Sequence, residues 1–349
     1  MLESKESSKE LELVAAGPAL THDGAPDEMA PGLFGLRLSL PFALDHVNIW
    51  LLAGQGGWTV IDTGVADERT RAAWRGLLGD FLTGRPVERL LATHFHPDHM
   101  GLMGWLAAET GAPLWASRTE WLLGRMLAQD QSQSFVEAGR SFDRRAGLPD
   151  DLVEQRARRG NAYRPKVTPP PARYRRLVEG NAIEIGGVTF EVLIGRGHAP
   201  EMICLFAPAL NVLIAADQVL PRISPNVSVW PSEPLANPLQ EFLSSLERFR
   251  ALPEDCLVLP SHGRPFRGLR ARVDQLIAHH KERLDQVLEA CAKSRTAAEI
   301  MPELFNRTLD AHQIGFALGE TIAHVNYLVE SRDLTRREGD DGRLYYQRR

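Results

Sequence analysis

Residues 93–101 read Thr-His-Phe-His-Pro-Asp-His-Met-Gly and place three imidazoles and one carboxylate within six consecutive positions. Imidazole nitrogen and carboxylate oxygen are metal donors, and at this density they point to a metal site. His94 and His96 are two apart, so in an extended stretch their side chains project to one side and can share one ion. Asp98 and His99 follow Pro97, where the chain turns, and point elsewhere, which suits a second ion. A histidine-rich surface turn would account for a single His or one His-x-His pair, but four donor residues at this spacing go beyond it.

The residues that must position this cluster are readable on both sides. Val87, Leu90 and Leu91 mark a strand before it, and Leu102, Leu106 and Ala107 carry helical spacing after it. The cluster therefore sits on a strand-to-helix turn, the place where open α/β sheets gather ligands at the carboxyl ends of strands. The His-x-His-x-Asp-His string, with Thr93 before it and Gly101 after it, resembles the metallo-β-lactamase superfamily of αβ/βα-sandwich metallohydrolases. That resemblance implies an α/β fold, a four-layer αβ/βα sandwich, with three further ligands downstream.

Candidates occur in the right order. Gly197-His198-Ala199-Pro200 follows two strand-like runs, and the resemblance gives His198 the place of third histidine on the first ion. Glu201 stands where relatives often carry glycine. Val212–Ala216 is an apolar run ending in Asp217, an acid whose burial is costly unless it is paired or metal-bound; an Asp capping the next turn is the alternative. Leu257-Val-Leu-Pro-Ser leads to His262-Gly263 at another strand exit. By resemblance, His94, His96 and His198 hold one ion, Asp98, His99 and His262 hold the other, and Asp217 lies between them. Asp62, in Ile61-Asp62-Thr63-Gly64, is either a plain turn residue or, as the resemblance implies, a carboxylate beneath the metal loop that orients the ligands.

Nitrogen and oxygen donors without thiolate suit zinc, the first expectation, and also manganese or iron(II). Two such divalent ions would activate a bridging hydroxide, which Asp98 would orient while carrying a proton toward the leaving group. β-Lactamases with an incomplete second shell place Cys where this chain has Asp217, and flavodiiron proteins replace a motif histidine by Glu, so neither branch fits. What remains is hydrolysis of a small ester, thioester or lactone carrying an anionic group. A metal-dependent endoribonuclease or phosphodiesterase is the alternative, and a noncatalytic metal-binding scaffold comes third.

The chain has 349 residues, 44% hydrophobic content and a net charge of −5, which fits a soluble protein with one large core and a smaller domain and excludes a general polyanion binder. No run of eighteen apolar residues occurs and residues 1–10 are charged, so no membrane association and a cytoplasmic location are expected. Cys204, Cys256 and Cys291 are widely spaced and read as reduced, buried thiols.

Residues 1–31 read as a flexible leader and 32–292 as the hydrolase domain, opening with a β meander at Leu33–Leu40, Val47–Leu52 and Trp58–Ile61. Within it, about 117–180 reads as an inserted segment with helices near Thr119–Ala128, Ser134–Ala146 and Asp150–Arg159. Thirteen Lys and Arg against eight Asp and Glu make Ser117–Gly180 strongly basic for this chain. It is either a solvated helical surface or a lid whose Arg173, Arg175 and Arg176 hold a substrate anion. After a helix from about Leu269 to Ala292, which carries His279 and His280 on a solvated or packing face, residues 293–349 read as a winged-helix-like unit. A capping box at Thr296–Glu299 opens one helix, Gln313–Leu318 and Glu320–Ser331 form two more, and a hairpin turns at Asp341-Gly342. Eight Arg against nine acids over Ser294–Arg349 favour packing or homodimer formation over nucleic-acid binding.

Overall fold

The computed structural model describes residues 20, 25–42, 44–306, 308–310 and 313–349. Seven strands form the first sheet in chain order: β1 (Asp27–Ala30), β2 (Leu33–Ser39), β3 (His46–Ala53), β4 (Trp58–Ile61), β5 (Val87–Leu91), β6 (Leu114–Ala116) and β7 (Tyr174–Arg176). β1 to β4 pair antiparallel and β4 to β7 parallel. The switch follows from the connections: short turns join the early strands, whereas helices Glu68–Gly79 and Met103–Thr110 carry later crossovers.

The second sheet contains β8 (Ala182–Ile185), β9 (Val188–Gly195), β10 (Met202–Ala207), β11 (Val212–Ala216) and β12 (Leu257–Pro260), ordered 12-11-10-9-8, with only β11–β12 parallel. β8 alternates exposed and buried residues, as a strand with one wet face must, while β10, β11 and β12 are buried throughout. Leu33, Trp50, Leu52, Ile61 and Leu91 of the first sheet meet Ile183, Phe190, Val192, Ile203, Leu205 and Leu259 of the second in one apolar cluster. This is the sheet-on-sheet core of an α/β sandwich.

The described residues fall into two compact units. One contains those up to Gln129, Tyr163–Pro225 and Arg248–Val273, and therefore both sheets; the other contains Asp130–Ala162, Asn226–Glu247 and Asp274–Arg349. In the second unit, β13 (Arg295–Thr296), β14 (Leu334–Glu338) and β15 (Leu344–Arg348) form a small sheet ordered 13-15-14. Helix Ala297–Leu304 begins at a complete capping box between Thr296 and Glu299. No helix among the described residues is long and apolar enough to cross a membrane.

The structure departs from the expected boundaries in four places. β1 lies inside the segment read as leader; it is a short, polar edge strand without apolar alternation, and the rest of that segment, apart from Leu20 and residues 25–31, lies outside the described residues. The basic insertion is divided, because its helices Gln133–Arg145 and Asp150–Arg158 belong with the C-terminal residues, tied there by Arg145 to Glu338 at 3.0 Å and by Ala298 N–H to the Ala146 carbonyl at 2.9 Å. Arg175 and Arg176 lie on β7, the edge strand of the first sheet, and Arg173 immediately precedes it, so none of the three is on a helical lid. Finally, Gln313–Glu330 is one helix. Gly319 does not break it; a Cβ there would meet Ser228 and the Val229 carbonyl at 3.0 Å, so the glycine permits close approach instead.

Gly101 has the same function beside the histidine cluster. A Cβ at this position would lie 2.4 Å from the Gly64 carbonyl oxygen and 2.8 Å from the Val65 Cα, both backbone atoms that cannot swing aside. Gly101→Ala is expected to lower unfolding stability by about 1–3 kcal/mol, read as a fall in urea midpoint. Gly76→Ala, whose methyl would meet nothing within 4 Å, should be neutral or stabilising. Equal midpoints for the two variants would show that the turn yields freely.

Candidate metal centre

All seven residues expected as ligands converge at one end of the two sheets, each from the exit of a strand. β5 leads into His94, His96, Asp98 and His99, β11 ends at Asp217, β12 delivers His262, and the turn joining β9 to β10 carries His198. Donor atoms group as His94–His96–His198, His94–His99–Asp217 and Asp98–His99–His262, with all atoms in each group within 4.8 Å of one another. Asp217 Oδ2 is central: it lies 3.3 Å from His198 Nε2, 3.4 Å from His262 Nε2 and 3.7 Å from His99 Nε2. Asp98 Oδ2 is 3.5 Å from His99 Nε2 and 3.4 Å from His262 Nε2.

These spacings fit ligands around metal ions. A tetrahedral zinc with bonds of about 2.0–2.1 Å separates its donors by roughly 3.3 Å, longer than a direct charge-assisted hydrogen bond of about 2.7–2.9 Å. His99 Nε2, His262 Nε2 and Asp217 Oδ1 are buried and have no hydrogen-bond partner among the described residues. Such orphaned donors and acceptors aimed at one space are what an ion would satisfy.

The electrostatics agree. Against the cost of burial, the neighbouring imidazoles His99 and His262 hold Asp98 and Asp217 well below the usual carboxylate range. Despite burial, the two acids raise His99 well above its ordinary value and His262 to about 10. Burial lowers His94 well below the normal imidazole range and His96 to about 3, leaving both neutral as metal ligation requires. The Asp98–His99–His262 side therefore attracts positive charge, and the His94–His96 side offers lone pairs.

Hydrogen bonds behind the ligands fix which nitrogen faces the centre. Asp62 accepts the Thr93 N–H at 2.8 Å, the Thr93 hydroxyl at 2.7 Å and His99 Nδ1–H at 2.8 Å. Because the Thr93 hydroxyl donates to Asp62, it receives from His94 Nδ1 at 3.0 Å, which makes Nε2, 3.0 Å from His96 Nδ1, the lone-pair nitrogen that faces the centre. His262 Nδ1 donates to the His46 carbonyl at 2.7 Å, again directing Nε2 inward. Asp62 and Ala216, beside Asp217, have left-handed backbone angles with φ of 64° and 47°, an uncommon conformation for residues other than glycine that the surrounding structure must hold.

The three arginines are not gathered together. Arg175 stacks on the Trp115 ring, 4.2 Å from its centroid, and its strand neighbour Arg176 projects to the opposite face. Arg173 borders the same surface hollow as Arg175, with Ala107, Pro113 and Pro171, so it is Arg176 that stands apart. Arg176, paired with Ala116 at the site end of β6, is near enough to Glu201 to help hold its carboxyl below the usual range, together with hydrogen bonds from Thr119 and against the cost of burial.

Several buried polar residues escaped the sequence reading. Asn48 donates to the Pro260 and Gly263 carbonyls at 2.8 and 2.9 Å, and Arg37 donates to Gly263 at 2.7 Å, so the two fix the loop that bears His262. A usable signal was present, since Asn48 interrupts an apolar strand and a buried amide there must be satisfied. Glu120, fully buried on helix Arg118–Gln129, accepts the backbone N–H groups of Phe95 and Glu201 at 2.9 and 2.6 Å. Burial pushes its carboxyl up to about 7 while those two donors pull it down. Tyr163 donates to the Phe95 carbonyl at 2.5 Å. Neither Glu120 nor Tyr163 carried a pattern that would single it out.

Comparison with known proteins places this geometry. Residues 43–262 match the Metallo-beta-lactamase superfamily, and residues 284–349 match the Metallo-beta-lactamase-like, C-terminal domain. The crystal structure of a Beta-lactamase domain protein from Burkholderia ambifaria superposes with a TM-score of 0.87 at 45% identity, covering 93% of this chain and 94% of that one. The Probable metallo-hydrolase YqjP of Bacillus subtilis is 24% identical over 87% of this chain and 94% of its own. A Linear primary-alkylsulfatase from Pseudomonas sp. is 26% identical over 74% of this chain, which spans 49% of that longer protein. The convergence of seven metal-type donors at strand ends of a sandwich thus has a family, and the chain belongs to the metallo-β-lactamase superfamily of hydrolases.

Proposed function

We propose that this chain is a binuclear-metal-dependent hydrolase of a small ester, thioester or lactone. The observation that carries the proposal is the position of Asp217 Oδ2, within 3.3–3.7 Å of imidazole nitrogens from both histidine sets, which suits a carboxylate shared by two ions. Zinc fits the nitrogen and oxygen donors, as do manganese and iron(II). When bound, two such ions supply an activated water at neutral pH and polarise the oxygen of the scissile group.

The protein's own residues do the rest. Asp98 is the most exposed of the close carboxylates, with its side chain 17% accessible against 8% for Asp217 and 2% for Asp62, so it is the acid that faces an incoming substrate. It is placed to orient the attacking water, take its proton and return a proton to the leaving group. His94 and His99 are locked in one ring orientation by Thr93 and Asp62, which holds the donors in place before substrate arrives.

Of the arginines, Arg176 is proposed as the contact for an anionic substrate group, because β7 brings it to the site end of the sheet. Element order in the C-terminal residues, with a long helix, β13, two helices and the β14–β15 hairpin, supports a winged-helix-like reading. Its charge favours packing or dimer formation over RNA binding.

A fully loaded preparation is expected to contain about two ions per chain by elemental analysis, since seven donors exceed what one tetrahedral ion uses. Asp217→Ala should lower metal content and reduce turnover by more than the roughly 10–100-fold typical of losing an outer hydrogen-bond partner; wild-type turnover in that variant would remove the bridge. On a panel of thioesters, lactones, an alkyl sulfate and single-stranded RNA, an acyl substrate should be cleaved fastest. Metal-dependent RNA cleavage exceeding every acyl rate would move the assignment to phosphodiesters. Arg176→Glu should raise KM for an anionic substrate severalfold, whereas Arg175→Glu should act on stability through its lost stacking, about 0.5–2 kcal/mol. An unchanged KM in the first variant would leave the anion without its proposed partner.

A further inference from the structure

Glu120 occupies an uncommon position for an acid. It lies in the first turn of helix Arg118–Gln129, where a carboxylate ordinarily faces the helix's own open N–H groups. Its side chain is instead completely buried and turned outward, with each oxygen bound to the backbone of a different ligand loop. Oε2 receives the N–H of Phe95, the residue between His94 and His96, and Oε1 receives the N–H of Glu201, three residues after His198. Glu201 completes the exchange by accepting the Thr119 N–H at 2.9 Å, so it caps the helix that Glu120 leaves uncapped. This gives the acid at position 201 a structural role. On its other side the Phe95 peptide is fixed by the Tyr163 hydroxyl.

We infer that Glu120 is a positioning residue: by clipping the His94–His96 loop to the His198 loop, it sets the spacing of the three histidines that form one half of the metal centre. Asp62 and Asn48 do not reach the turn that carries His198, and the Ile203 N–H bond to the Thr93 carbonyl at 2.8 Å ties the strand ends outside the histidines, whereas Glu120 holds Phe95, between His94 and His96, to Glu201. One short side chain thus spans two segments a hundred residues apart in sequence. Hydrogen bonds buried this fully have a fixed geometry, because no water competes for either oxygen. The inference rests on the binuclear reading above and is specific to one of its two halves.

The test is cobalt(II) titration of metal-free full-length protein, followed by the visible bands of the bound ion. His198→Ala and His262→Ala identify which binding step belongs to which half. Glu120→Gln replaces one acceptor oxygen with an N–H2 group that opposes a backbone donor, so only one loop stays bound. It is expected to weaken the step lost in His198→Ala at least tenfold while changing the step lost in His262→Ala less than threefold. Glu120→Asp, which keeps the charge but is a methylene too short to reach both loops, should show the same selective loss and serves if the Gln variant does not fold. Glu201→Ala retains its backbone N–H and should leave both steps within threefold. Glu120 variants that lower thermal stability while weakening both steps equally, or neither, would reduce the residue to ordinary packing and overturn the inference. If wild type binds a single cobalt ion, the binuclear reading fails on its own, and the clip stands or falls on whether Glu120→Gln weakens that one ion tenfold.

Discussion

Asp217, buried, and Asp98, half-buried, lie among five histidines, and this crowding of charge is the constraint on which the rest of the structure depends. Isolated carboxylates in such surroundings would cost several kcal/mol each. Here each carboxylate answers positive charge that neighbouring imidazoles carry when they are protonated. The balance is incomplete as drawn, because His99 Nε2, His262 Nε2 and Asp217 Oδ1 have no hydrogen-bond partner among the described residues. A pair of divalent cations would satisfy these atoms and the charge together, so the burial that makes the cluster expensive without ions makes it selective for them.

Such a cluster needs an unyielding frame. The frame has three buried side chains with distinct jobs: Asp62 binds the metal loop from below, Asn48 anchors the His262 turn, and Glu120 joins the His94–His96 turn to the His198 turn, beside the backbone bond from Ile203 N–H to the Thr93 carbonyl. Each one binds at least one backbone group, so each fixes the course of a loop and not merely a contact. Backbone strain at Asp62 and Ala216 is tolerated for the same reason, since parallel pairing with β5 and β12 holds these strand ends from outside. Sheets built to resist such strain are suited to presenting many ligands at one end.

How legible this was depended on the range of the interaction. The cluster from Thr93 to Gly101 is local, so residue spacing alone announced a metal site, and apolar runs ending in Asp217 or His262 marked strand exits. Grouping those distant residues with the cluster required the family resemblance, because nothing in spacing says that β11 and β12 lie beside β5's loop. Glu120 was invisible for a related cause: its role arises only after folding brings residues 95 and 201 to either side of it. The basic helices of the insertion were visible as helices but not as to where they pack, since an amphipathic stripe does not name the surface it covers. Arg175 shows the limit of charge counting, as its guanidinium sits over the Trp115 ring.

The chain passes between its two compact units five times, at residues 129/130, 162/163, 225/226, 247/248 and 273/274. Residues 130–162 and 226–247 are therefore made well before Asp274–Arg349, with which they share a core. On the ribosome they must wait, their apolar faces uncovered, until the last residues emerge. The strands that carry His94, His198, Asp217 and His262 are all made earlier, and the sandwich can gather its ligands while the other unit is still open. A chain ended soon after Val273 would thus already carry all seven metal donors, while residues 130–162 and 226–247 would lack the C-terminal residues of their own unit.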